Sequence, residues 1–235
     1  MKKLGVLGGM GPAASAEFMV RLTAQTPASC DQEHIPTVLW SDPQIPDRST
    51  SIRNGNDLPL AGLRLGIIGL QQAGCEYIVI PCNTAHFWYN ELINLGTPII
   101  HIVDSVSDQL HELKIKRHAT IGIIGTYATV EQGMYPKYLN KQGWGCITPS
   151  PEEMDTLVSP AIELIKGNNI SEARILLLKV VNSLISQGVR AVVLGCTEIP
   201  LAIRETVINN VPIVNSIDSL VKAAIIYSTY TVDTM

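Results

Sequence analysis

Two stretches decide the fold: Gly74–Cys82, GCEYIVIPC, and Gly188–Cys196, GVRAVVLGC. Each has a glycine, a polar or charged residue, a short β-branched run and then a cysteine, and the second lies 114 residues after the first. Flanking blocks repeat in the same order. Leu4-Gly5-Val6-Leu7-Gly8 resembles Ile121-Gly122-Ile123-Ile124-Gly125 at an offset of 117, and Pro98-Ile99-Ile100 with Asp104-Ser105 resembles Pro212-Ile213-Val214 with Asp218-Ser219 at an offset of 114. Any one block is an ordinary buried strand. Three in constant order and at near-constant spacing are an internal duplication.

The apolar runs Leu4–Leu7, Thr37–Trp40, Tyr77–Ile80 and Ile99–Ile102, and then Thr120–Ile124, Ala191–Leu194 and Ile213–Val214, read as strands. Between them, Ala14–Thr26, Leu60–Ala73 and Ser171–Gln187 carry apolar residues at helical spacing, the last two stopped by Gly74 and Gly188. Strands alternating with helices of this length make parallel sheets. The expected architecture is α/β: two similar domains related by pseudo-twofold symmetry, each a parallel-type sheet flanked by helices, with the active site in the cleft between them. The expected boundaries are 1–104 plus 217–235 for the first domain and 105–216 for the second.

At 235 residues, 46% hydrophobic and 16% charged, the chain buries a large core and is not disordered. A net charge of −4, with 17 Lys and Arg and no long basic run, gives no electrostatic footprint for nucleic acid or an anionic membrane. The N-terminal apolar run is interrupted by Gly5, Gly8, Gly9, Gly11 and Pro12, which suit a strand entering a loop better than a signal-peptide helix. No apolar stretch reaches membrane-spanning length. Five cysteines, an odd number without a disulfide-scaffold density, point to free thiols and a cytoplasmic location.

Ligands of parallel sheets bind beyond the carboxyl ends of the strands. The loops there are Gly8–Pro12, Pro81–His86, Gly125–Thr129 and Gly195–Pro200, and the repeat puts Cys82 and Cys196 at equivalent places. Each cysteine is expected at a helix N-terminus, where backbone N–H groups favour a thiolate and hold a carboxylate. Two thiols facing across one cleft suit stereoinversion: one removes a proton and the other delivers one. Matched core cysteines and a redox pair are the alternatives. Zinc is disfavoured, because no Cys-x-x-Cys or His-x-x-x-His spacing accompanies either residue.

Gly8–Pro12, Ile45-Pro46-Asp47-Arg48, Pro81–His86 and Gly195–Pro200 together resemble the aspartate/glutamate racemase family, in particular its aspartate racemase branch, over essentially the whole chain. The resemblance implies a cofactor-independent racemase that interconverts L- and D-aspartate, with glutamate as a further substrate. Its catalytic pair would be Cys82 and Cys196. The substrate-binding set would be Met10, Gly11, Arg48, Asn83, Thr84, Thr126, Lys166, Thr197 and Glu198, with Thr129 beside Thr126. Some relatives specific for L-amino acids carry threonine at the first cysteine; this chain keeps Cys82, and the resemblance implies that it works in both directions. No metal and no cofactor is implied, and a homodimer is. Arg48 is the expected partner of a substrate side-chain carboxylate because guanidinium binds carboxylate bidentately. Lys166 is the second cation, with Arg53 and Lys137 as weaker alternatives. His86 and Glu198 sit close enough in sequence to the cysteines to tune or relay their protons, and Asp47 is expected to orient Arg48.

Rival readings remain. Another two-cysteine reaction on a small acid, such as hydantoin racemisation, maleate isomerisation or decarboxylation, shares the cysteine pair. A dinucleotide-binding module is suggested by Gly5-x-x-Gly8-Gly9-x-Gly11, which departs from the G-x-G-x-x-G spacing. A non-catalytic amino-acid sensor on the same fold is the third.

Overall fold

The computed structural model describes residues 1–131 and 133–229. Residues 230–235, placed by sequence in the first domain, lie outside the described residues. The strands are β1 (Leu4–Gly8), β2 (Thr37–Ser41), β3 (Tyr77–Val79), β4 (Ile99–Ile100), β5 (Thr120–Ile124), β6 (Gly145–Ile147), β7 (Ala191–Leu194), β8 (Val207–Ile208) and β9 (Val211–Asn215). They form two sheets, ordered β2-β1-β3-β4 and β6-β5-β7-β9-β8. Every pairing is parallel except the short antiparallel one of β8 with β9. Without that extra strand the two orders are the same, β1, β2, β3 and β4 corresponding to β5, β6, β7 and β9. The duplication in the sequence is therefore a duplication of topology. Sequence reading missed β6 and β8, whose Gly-Cys-Ile and Val-Ile are too short to show a period.

The duplication also preserves which way side chains face. Leu4, Val6, Tyr77 and Val79 of the first sheet, and Ile121, Ile123, Ala191 and Val193 of the second, enter one common cluster with Phe18, Val106, Leu110, Ile217 and Leu220 from helices Pro12–Gln25, Ile102–Glu112 and Ser216–Thr229. Leu7, Ile78 and Ile80 turn the other way, onto Leu63, Ile67 and Leu70 of helix Leu58–Gln72. Their counterparts Ile124, Val192 and Leu194 turn onto Leu177, Val180 and Leu184 of helix Ile170–Ser186. Strand side chains alternate faces with period two, so offsets that map inward residues onto inward residues build two like sheets around a shared helical layer.

The helices expected at 14–26, 60–73 and 171–187 form at Pro12–Gln25, Leu58–Gln72 and Ile170–Ser186. Gly74 and Gly188, at φ +76° and +84°, end the latter two in the left-handed region that favours glycine. The expected boundary at 104/105 falls inside helix Ile102–Glu112, and that at 216/217 falls one residue into helix Ser216–Thr229. These two helices pack against each other, and the last one also packs on helix Pro12–Gln25.

Candidate active site

One cleft receives the strand-end loops of both sheets. Its lining includes Met10, Arg48, Cys82, Asn83 and Thr84 from the first half and Thr126, Lys166, Cys196, Thr197 and Glu198 from the second, with Asp47, Ser49 and Ile162 completing the wall. Of the expected catalytic and substrate-binding residues, Gly11 and Thr129 are not on that wall; Gly11 reaches the site through its backbone and Thr129 through the Thr126 hydroxyl.

The loop after β1 is braced by Ser15. Its hydroxyl accepts from the Gly9 N–H at 2.9 Å and donates to the Gly11 carbonyl at 2.9 Å. Gly9 has φ +92°, and a Cβ there would stand 2.4 Å from the Asp42 backbone, so only glycine makes this turn. The braced loop aims the Gly11 N–H at Glu198 Oε1, 2.9 Å away. The other oxygen of that carboxylate, Oε2, accepts from the Cys196 thiol at 3.0 Å. Glu198 thus joins the first-half loop to the second-half cysteine, and both of its oxygens are engaged.

Arg48 opens helix Arg48–Arg53, which Asp47 caps by accepting from the Thr50 N–H at 2.7 Å. Asp47 therefore fixes the helix on which Arg48 sits. Although burial opposes it, Thr50, Arg48 and Lys166 together hold the Asp47 carboxyl below the usual carboxylate range. Nη1 of Arg48 donates to the Ile45 and Pro46 carbonyls, 2.9 Å each. Its Nε is buried with no hydrogen-bond partner. Buried donors are nearly always paired, so an open one on a cleft wall is a place for an acceptor.

Lys166 lies on the cleft wall at the end of helix Ser159–Lys166, and its ammonium is held 2.8 Å from Glu163. Ile162, one turn earlier, shares its face, a signal that i,i+4 spacing from Lys166 carried in the sequence. Of the weaker cations, Arg53 lines an outer groove adjoining the cleft through Asp47, Ser49, Thr126, Ile162 and Lys166. Lys137 lies in a different groove.

Thr84 and Thr126 Oγ1 are 3.1 Å apart across the two halves, and Thr126 and Thr129 Oγ1 are 3.0 Å apart, a short hydroxyl chain. The Asn83 side chain spans the cleft floor. Its Oδ1 accepts from Tyr135 Oη at 2.7 Å, and its Nδ2 donates to Ser216 Oγ, which donates in turn to the Leu194 carbonyl. Much of its hydrogen-bonding capacity is spent holding the halves together. Nothing in the sequence pointed to Tyr135 or Ser216 as its partners.

Among the described residues His86 makes no hydrogen bond to the Cys82 thiol. Its Nδ1 lies 2.9 Å from the Cys82 carbonyl oxygen, and its Nε2 accepts from the Ile102 N–H at 3.3 Å. An imidazole with Nδ1 protonated satisfies both and has no site left to relay a thiol proton. Burial lowers its pKa to about 4.

Both thiols differ from expectation. Burial pushes Cys82 above the ordinary thiol range, with Arg48 opposing and Glu198 adding to the rise. Burial and then Glu198 push Cys196 well above it. The following helices are a five-residue 3-10 turn, Thr84–Trp88, and the four-residue Ile199–Ala202, so their end dipoles are small beside the loss of solvent. The thiols also raise one another's cost of ionisation, since Cys82 adds to the rise at Cys196.

The profile of the family described as Asp/Glu/Hydantoin racemase matches residues 7–224. The chain belongs to this family. Among solved structures it resembles the Picrophilus torridus aspartate racemase, with TM-score 0.86 and 31% identity over 97% of this chain and 94% of that one. It also resembles a putative Asp/Glu racemase of Yersinia pestis, with TM-score 0.77 and 26% identity over 98% of this chain and 100% of that one. Among curated proteins it is 26% identical over 97% of both chains to the broad specificity amino-acid racemase RacX of Bacillus subtilis. As a member of the Asp/Glu/hydantoin racemase family the chain is an isomerase, and the two-sheet α/β architecture is that of the racemases it resembles.

Proposed function

We propose that the chain is a cofactor-independent amino-acid racemase that interconverts L- and D-aspartate, extending to glutamate, by proton transfer between Cys82 and Cys196. The observation carrying this reading is that the two duplicated thiols line one cleft with a guanidinium whose Nε lacks a partner. A thiolate on one side takes the α-proton, and the thiol opposite gives its proton to the other face of the carbanion. Burial keeps both cysteines protonated at rest; Cys82, beside Arg48, is the one raised less and the more readily ionised, and Cys196 donates to Glu198. The hydroxyls of Thr84, Thr126 and Thr197 and the backbone N–H groups at Asn83 receive the α-carboxylate as charge spreads into it. Glu198 attracts the substrate ammonium. Arg48, with Lys166 behind it, takes the side-chain carboxylate. The aspartate racemase of Picrophilus torridus supports the choice of aspartate, and the breadth of RacX supports tolerance of other amino acids. A cytoplasmic homodimer belongs to the same proposal.

The test is chiral chromatography of L-aspartate, L-glutamate, L-alanine and maleate incubated with the protein and no added cofactor. D-aspartate should form. Cys82→Ser and Cys196→Ser should each lower its rate at least about 100-fold, the scale of a lost general acid or base. Arg48→Leu should erase the preference for aspartate over alanine. Turnover of maleate alone would move the chain to a different isomerisation, and near-native activity in either serine variant would remove that cysteine from the mechanism.

A further inference from the structure

A second site lies at the opposite end of the second sheet from the cysteines. The loop between helix Ile102–Glu112 and β5, the turn before β7 and the start of β9 enclose an open groove of about 660 Å3, whose lining includes Lys114, Lys116, Arg117, His118 and Arg190. Every charged residue on this wall is cationic. None of the ion pairs among the described residues involves Lys114, Lys116, Arg117 or Arg190. Four uncompensated cations in one concavity of a chain with net charge −4 repel one another, a cost that an anionic occupant removes.

The loop carrying them is held in shape. The buried Trp144 indole N–H is shared between the Ile115 and Lys116 carbonyls, at 3.3 and 3.1 Å. The His118 N–H donates to the Gly143 carbonyl at 2.6 Å, and the Ala119 N–H closes a turn onto Lys116. The Arg117 stem lies about 3.7 Å from where a Cβ on Gly143 would stand. Arg190 is fixed from the other side, its N–H donating to the Thr120 carbonyl at 2.9 Å. In sequence Lys114, Lys116 and Arg117 are only a short broken cluster, and Arg190 is far away; folding brings them together.

We propose that this groove binds a small phosphorylated metabolite carrying two or more phosphates, with Lys116, Arg117 and Arg190 as its main ligands. Guanidinium and ammonium groups on a preformed wall are the usual means of holding phosphate oxygens, and the volume is that of a small-molecule site rather than of a duplex. The site is separate from the cleft, at the N-terminal ends of β5, β7 and β9, and its occupation does not depend on the racemase reading.

Isothermal titration of the full chain with tripolyphosphate and with ATP, at low and moderate salt, tests this. One molecule should bind per chain. Lys116→Gln with Arg117→Gln, and separately Arg190→Gln, should weaken binding at least tenfold, the effect of losing a charge-assisted hydrogen bond. Lys179→Gln on a distant helix and Arg48→Leu in the cleft should leave it unchanged. Loss of binding in Arg48→Leu would place the anion in the active site. Absence of binding, or binding unaltered by the groove substitutions, would overturn the proposal, and so would tighter binding to single-stranded RNA that strengthens with its length. Circular dichroism of each variant separates lost ligands from lost folding.

Discussion

At the level of single residues, the two cysteines occupy equivalent positions but not equivalent surroundings. Cys82 has a guanidinium beside it, whereas Cys196 donates to a carboxylate that is itself fixed by the Gly11 N–H. The asymmetry has a kinetic consequence. An anionic Glu198 raises the pH needed to ionise Cys196, so in Glu198→Gln the thiol ionises at lower pH. The acidic limb of the pH–rate profile, where the base ionises, should move to lower pH in the direction that uses Cys196 as base and move less in the direction that uses Cys82. Equal displacement of that limb in both directions would show that Glu198 acts on the site as a whole. The cysteine pair was legible because a duplication marks it twice. The thiol–carboxylate bond was not, because two-residue spacing leaves open whether side chains meet. The expected depression of the thiol pKa failed because sequence shows a helix start but not its length or the loss of solvent around it.

Among the elements, strands and long helices were legible wherever period and punctuation agreed, as in Leu58–Gln72 between a polar start and Gly74. They were not where a short strand lies outside an apolar run, as in β6 and β8, whereas the equally short β3 and β4 sit inside apolar runs that the duplication repeats. His86 illustrates the limit on roles: its sequence position fits a proton relay, but its ring braces the loop after β3 against the start of helix Ile102–Glu112. His101 packs against it edge-on at 5.0 Å, and burial, then His86, lowers its pKa to about 3. Both rings are neutral in the folded chain, whereas an unfolded histidine protonates near pH 6.5. The unfolded state therefore binds more protons below that pH, and stability falls as the solution is acidified from about pH 6.5 toward pH 4, by up to about 1.4 kcal/mol per pH unit for each histidine. Urea midpoints at pH 7 and pH 5 should differ accordingly. Equal midpoints would mean that these histidines do not stay neutral in the folded chain.

For the whole molecule, the two sheets enclose one helical layer, so the duplicated halves share a core as well as a cleft. The proposed two-domain division therefore has its seam along packed helices rather than in a linker, which a composition-based search for Pro- or Gly-rich boundaries does not detect. A shared core brings the strand-end loops of both halves to one cleft, which Cys82 and Cys196 both line. In the proposed mechanism each half of the cleft supplies its own acid/base. This is tested most directly by starting from L-aspartate in D2O and analysing the two enantiomers separately at early times. Two bases predict α-deuterium in the D-aspartate formed while the remaining L-aspartate stays protiated. Deuterium entering both pools at the same rate would mean one base serving both faces, and would contradict the assignment of Cys82 and Cys196 as a pair.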